Sequence, residues 1–105
     1  MKITDLISTI EKRPEFFLGE RDLTYLMRFL SGYFFSIAVS NTENGNPSLG
    51  EDPTFEDFKN WVFQKYNVTG SKGIESIIYY QTMTKLEAFN KFFELWNEFK
   101  EIKNL

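Results

Sequence analysis

Apolar residues recur along the chain at the three- and four-residue spacing of helix faces, and five stretches keep that period. Ile3, Leu6, Ile7 and Ile10 mark a short first helix, with Thr4 placed to cap it and Pro14 turning Arg13 away from the α region, so that it stops near Lys12. Pro14-Glu15-Phe16-Phe17-Leu18-Gly19 reads as a compact connector whose three apolar side chains must pack close by. From about Arg21 to Ser40, Leu23, Leu26, Met27, Leu30, Phe34 and Ile37 keep helical spacing, while Tyr25, Phe29, Tyr33 and Phe35 add apolar surface on other faces. A helix so nearly apolar all round is expected at the centre of the fold, with Gly32 at a close approach or a bend.

Asn41 to Asp52 carries turn residues and a single large apolar side chain, Leu49, and reads as a long loop. Asp52 or Thr54 caps the next helix, with Pro53 in its tolerant first turn and Phe55, Phe58, Trp61, Val62, Lys65 and Tyr66 spaced for a face, ending near Asn67. After a break at Gly70, Ser71 and Gly73, the segment Ile74 to Tyr80 fits a short helix or a strand, because periodicity does not separate the two over so few residues. Thr84-Lys85-Leu86-Glu87 is a capping box opening a long helix. Its apolar stripes are Leu86, Phe89, Phe93, Trp96 and Phe92, Leu95, Phe99, Ile102, with Glu94, Asn97, Glu98 and Glu101 outside. No hairpin signal, βαβ alternation or internal repeat interrupts this pattern. The expectation is an all-α fold, a compact bundle of about five helices with one long acidic loop, in which residues 1–105 form a single helical domain.

Composition narrows the chemistry. Of 105 residues 42% are hydrophobic and 12 are Phe, enough bulky apolar material for a packed core and incompatible with a disordered chain. With no Cys and no His there is no disulfide framework, thiolate nucleophile, zinc finger or imidazole base. The serines and threonines sit in neither a nucleophile elbow nor a phosphate-binding loop. Paired acids such as Glu51/Asp52 and Glu94/Glu98 fall on a loop and a solvated helix face, far from the apolar cleft that general acid–base work needs. Read from Ser40, the long loop has Asn44, Gly45 and Glu51 at three calcium-loop positions, but Ser40 and Thr42 replace the leading carboxylates and Pro47 stands where an apolar residue belongs. The reading is therefore no enzyme, no cofactor and no metal. A net charge of −3 with dispersed bases argues against nucleic acid. The densest apolar run, Tyr33 to Val39, is far shorter than a membrane span, so a cytoplasmic protein without a membrane partner is expected, and the sequon at Asn67-Val68-Thr69 has no consequence there.

Charge is unevenly placed. Residues 1 to 28 hold five bases and five acids, and residues 59 to 105 seven bases and five acids, whereas Phe29 to Phe58 holds no base and the five acids Glu43, Glu51, Asp52, Glu56 and Asp57. Loop solvation and the helix dipole account for acids at such positions. Alternatively, these five residues form a docking surface for a basic partner, with an association rate that falls as salt is added. Most aromatics at helical spacing are core, yet Tyr79 and Tyr80 are adjacent and cannot both face inward. Exposed aromatics leave open a structural or regulatory module that associates with itself as a homodimer, and an aromatic-lined cavity would suit a small-ligand carrier.

Ile10-Glu11-Lys12-Arg13-Pro14-Glu15-Phe16-Phe17-Leu18-Gly19 followed by Leu23-x-x-Leu26-x-x-Phe29-Leu30-Ser31-Gly32-Tyr33 resembles the opening of a group of small bacterial proteins that share "i-x-x-R-P-x-x-Y-L-G" and then "L-x-x-F-x-x-G-Y". Phe55-x-x-Phe58-x-x-Trp61-Val62 and Ala88-Phe89-x-x-Phe92-Phe93-x-Leu95-Trp96 extend the likeness over most of the chain, with Phe17 standing where Tyr is usual. The group is the immunity proteins of bacterial polymorphic toxin systems, including contact-dependent growth inhibition. The resemblance implies an immunity protein that binds and neutralises a cognate toxin domain by protein–protein contact. If that toxin were a nuclease its substrate-binding surface would be basic, and Glu43, Glu51, Asp52, Glu56 and Asp57 could cover it in place of phosphates. The Arg13-Pro14…Gly19 motif is then a fold element, with Phe16, Phe17 and Leu18 locking the first helix onto the second.

Overall fold

A computed structural model describes residues 2–40, 52–69 and 73–105, which form six helices and no strand. They are α1 (Ile3–Lys12), α2 (Pro14–Leu18), α3 (Leu23–Ser40), α4 (Pro53–Lys65), α5 (Ile74–Tyr80) and α6 (Lys85–Lys103). The fold is all-α, as the periodicity predicts, and gains one helix over the expected five.

The core is built on α6. Thr84 Oγ1 accepts from the Glu87 amide at 3.1 Å, while the Glu87 carboxylate accepts from the Met83 amide at 3.1 Å, so the reciprocal cap closes one residue ahead of the usual box. Asn104, with φ +62°, ends the helix in the left-handed region. Between these ends Ala88, Phe89, Phe92, Phe93, Leu95, Trp96 and Phe99 are buried. Leu86 and Ile102, expected on the same stripes, lie in the terminal turns and remain exposed. Helix α4 packs on this surface through Phe58, whose ring lies 5.6 Å from Phe92, 5.0 Å from Trp96 and 5.5 Å from Phe99, each edge-on. Such pairs add about 0.5–1.5 kcal/mol beyond their buried area. Trp96 Nε1 has no hydrogen-bond acceptor among the described residues, and its indole lies against the rings of Phe55, Phe58 and Phe99. A turn closed by Asn67 at φ +53° ends α4, with the Val68 amide donating to the Phe63 carbonyl at 2.9 Å.

Three local expectations are revised. Helix α1 begins at Ile3 with Lys2 in the capping position and no side-chain cap, so Thr4 lies inside the helix; the earlier start brings Ile3 into the core. The connector after Arg13 is itself a short helix, α2, with Pro14 at its first position and Gly19 at φ +85° closing it through an amide bond to the Glu15 carbonyl. Five residues are too few to carry a visible period. Phe17 and Leu18 pack against the core, Phe17 edge-on to Phe29 at 6.1 Å, but Phe16 is 78% exposed and touches only Phe17 among the aromatic rings around it, so it locks nothing.

Helix α3 is the third revision. Asp22 starts it, accepting from the amides of Thr24 at 2.8 Å and Tyr25 at 3.2 Å, and lies 3.9 Å from Lys85 at the start of α6. Further along, Phe55 of α4 stands 5.2 Å from Phe34 and 6.3 Å from Trp96, so α3 and α6 run in the same direction. Only Leu23, Leu26, Leu30 and Ala38 of α3 are buried. The helix therefore lies along the flank of the bundle rather than at its centre, because the aromatic side chains of α4 and α6 already fill the middle. Gly32 is exposed, and a Cβ added there would meet nothing within 4 Å among the described residues, so it marks no close approach among them. By length and mean hydropathy, 1.2, Leu23–Ser40 could cross a membrane, being far longer than the run Tyr33 to Val39 alone; here its inward residues are part of the bundle core.

Packing settles Ile74–Tyr80 as helix: Ile74, Ile77 and Ile78 face inward at helical spacing. Of the adjacent tyrosines, Tyr79 turns in and its hydroxyl bonds the Thr24 hydroxyl at 2.8 Å, whereas Tyr80 is 89% exposed.

Candidate protein-docking face

The acids singled out from the sequence divide between described and undescribed positions. Glu43 and Glu51 lie outside the described residues, as do Asn44 and Gly45 of the calcium-loop pattern. Asp52, Glu56 and Asp57 come together at the start of α4, where a helix begins because Asp52 accepts from the Phe55 amide at 3.1 Å and Pro53 supplies a preset backbone angle. One turn thus carries three carboxylates, each in a different condition. Asp52 is half-buried and engaged as the cap. Glu56 Oε2 is a buried atom 3.0 Å from Lys59 Nζ, a charge contact without the alignment of a hydrogen bond. Asp57 is exposed and enters no ion pair among the described residues. Among the described residues only one of these three acids, Glu56, is seen paired with a lysine, Lys59, so acids outnumber bases in this turn.

This turn abuts the last turns of α3, since Phe55 packs on Phe34. There α3 leaves Phe35 61% exposed and Val39 48% exposed, with Ile37 also open. Exposed large apolar side chains at the end of α3 thus lie beside a turn in which acids outnumber bases. Sequence reasoning places Phe35 with general apolar surface and misses its exposure; the signal that could have found it is that α3 contains a single ionised residue, Arg28, and so has no polar face to turn outward.

Among the described residues two crevices open elsewhere on the surface. A crevice of about 220 Å³ where the end of α1 meets α6 is lined by Glu11, Pro14, Arg21, Phe93 and Asn97 among others, with Glu11 already bonded to Asn97 at 3.3 Å and Arg21 to Glu15 at 2.8 Å. A second, about 340 Å³, lies between Val68 and the Ile77, Tyr80 and Gln81 stretch. Both are surface crevices rather than an aromatic-lined chamber between helices. No group of three or more metal-ligating side chains occurs among the described residues. Comparison with protein-family models, curated proteins and solved structures finds no match to this chain.

Proposed function

We propose that this chain is an immunity protein, which neutralises a bacterial toxin domain by covering it, with the acidic first turn of α4 as the recognising element. The observation that supports this reading is the condition of that turn. Three carboxylates sit within one helix start, one of them exposed and without an ion pair among the described residues, beside the uncovered apolar end of α3. Glu51 precedes Asp52 directly in sequence and adds to the same charge. Neutralisation by cover requires no catalytic group of a rigid, Phe-packed body, only a shaped surface that outcompetes the toxin's substrate. Against a basic, nuclease-like cleft, the carboxylates would occupy the positions of phosphates and steer the encounter.

This reading expects a large secreted protein with a variable C-terminal domain to be encoded directly upstream, and the test takes that domain as the toxin probe; the lack of such a neighbour counts against the reading. Mixing should give a tight complex whose association rate falls as salt rises. Replacing Asp52→Asn, Glu56→Gln and Asp57→Asn together removes charge while asparagine keeps an acceptor for the helix start. The association rate should drop about tenfold or more. An unchanged rate and affinity in the triple variant would sink the acidic turn as the recognising element.

A further inference from the structure

The crevice where the end of α1 meets α6 carries opposite charges at its two ends. Its wall on α6 has Phe89 and Phe93 buried at the floor, with Asn90, Glu94 and Asn97 exposed along the rim. The facing wall runs from Glu11 past the buried Pro14 to Arg21. Glu11 stands at the Asn97 end, where its Oε2 accepts from Asn97 Nδ2 at 3.3 Å. Arg21 stands at the other end, because its neighbour Asp22 lies 3.9 Å from Lys85 at the start of α6. Both ends keep bonding capacity. Arg21 Nε donates to Glu15 at 2.8 Å, which leaves the N–H groups of its two terminal nitrogens. Glu11 keeps its second oxygen and Asn97 its carbonyl, both acceptors, and Glu94, 3.6 Å from Lys91, adds a second carboxylate on that side.

We infer that this crevice binds a small extended zwitterion, an aliphatic ω-amino carboxylate of the kind that lysine presents, with its carboxylate on Arg21, its ammonium on Glu11 and its methylenes over Phe89 and Phe93. Each part of such a ligand answers to a part of the wall. The planar guanidinium suits a carboxylate in two-point contact. The oxygens of Glu11, Glu94 and Asn97 suit the three donors of an ammonium group. The two rings beneath take the alkyl body out of water. About 10 Å of helix axis separates Asn90 from Asn97, which suits an extended chain of about five carbons between the two charges. A volume of about 220 Å³ is small for a drug-sized molecule and fits one the size of an amino acid. A ligand with a single charge fares worse: a plain cation faces the arginine, and a plain anion faces the two glutamates. None of these residues belongs to the acidic turn of α4, and the inference does not rest on the toxin reading.

The probe is 6-aminohexanoate, which carries one charge at each end of an alkyl chain. Proton–nitrogen correlation spectra of the labelled full chain, titrated at constant ionic strength to about 50 mM, should show saturable shifts at the Asn90 and Asn97 side-chain amides and at Arg21 Nε–H, with a dissociation constant of about 1 mM. Hexanoate and hexylamine, each with one of the two charges, and 3-aminopropanoate, with its charges too close together, should bind about tenfold more weakly or worse. Arg21→Gln should weaken 6-aminohexanoate about tenfold while sparing hexylamine. Glu11→Gln should weaken it similarly while sparing hexanoate, its amide oxygen still accepting from Asn97. Both side chains are exposed, so both variants should melt as the parent does. The absence of saturable shifts at the crevice overturns the proposal. So does equal binding of the singly charged probes, or binding indifferent to both substitutions.

Discussion

Helices α3 and α6 are alike in length, 18 and 19 residues, run side by side in one direction and begin at an Asp22–Lys85 contact, yet they treat their apolar residues in opposite ways. α6 buries seven side chains and turns Glu94, Asn97, Glu98 and Glu101 to the outside. α3 buries four and has Arg28 as its only charged residue, so Phe35, Ile37 and Val39 are left at the surface. Hydropathy records what a helix contains; the neighbours decide what it buries. Once the rings of α4 and α6 have filled the middle, α3 has room for a narrow stripe of contact, and its surplus apolar surface is free for another molecule.

The largest effect expected of this contrast is in stability. Phe92→Ala in α6 should cost about 3–5 kcal/mol in a denaturant titration, whereas Phe35→Ala in α3 should stay within about 0.5 kcal/mol. Comparable losses at the two sites would mean that the two helices are buried alike and would end the comparison. The helix starts should differ less. Asp22→Ala removes the acceptor for two amides and Thr84→Ala the acceptor for one, each worth about 1 kcal/mol, with Asp22 the costlier because it is buried and faces Lys85. Thr84→Ala costing clearly more would show that the side chain's burial is not what weights the cap.

The smallest effect is a matter of pH. Glu15, at the start of α2, has its carboxyl held below the ordinary glutamate range, first by hydrogen bonding to its own backbone and then by Arg21 at 2.8 Å. A depressed value in the folded state stabilises it above the unfolded pKa, and the contribution fades as pH falls through the folded one. Glu15→Gln should therefore flatten the acid limb of the stability curve slightly and leave neutral pH nearly unchanged. The group is fully exposed, so a steep change would contradict its solvent screening.

The parts of the fold legible in the sequence are those written in local chemistry. Thr84 and Glu87 announce α6, Pro53 and Asp52 announce α4, and the sense of each follows from which side chain meets which amide. Ile74–Tyr80 is ambiguous in the sequence because seven residues fit two periods, and it is contact with the core that makes them helical. α2 escapes sequence reasoning for the same reason of length. Asp22 is legible in principle, as an aspartate directly before an apolar period, but the apolar spacing alone starts the helix near Arg21, ahead of its cap. Gly32 misleads more deeply: a glycine inside a helix implies that something comes close, and among the described residues nothing does. Of the candidate site, the negative excess before Phe58 can be read directly, whereas the sharing of that excess among a cap, an ion pair and an open carboxylate is set by where Lys59 and the Phe55 amide fall in three dimensions.

The two tryptophans give the molecule two distinct optical probes. Trp96 is sealed among Phe rings, so its emission is that of an indole in a hydrocarbon-like setting and reports on loss of the core. Trp61 is half-buried on α4, stacked on Phe58 with the Lys65 ammonium 5.5 Å from its ring, where a dissolved quencher can reach it. Added iodide or acrylamide would dim the second lamp before the first, separating events at the rim from melting of the interior without any label.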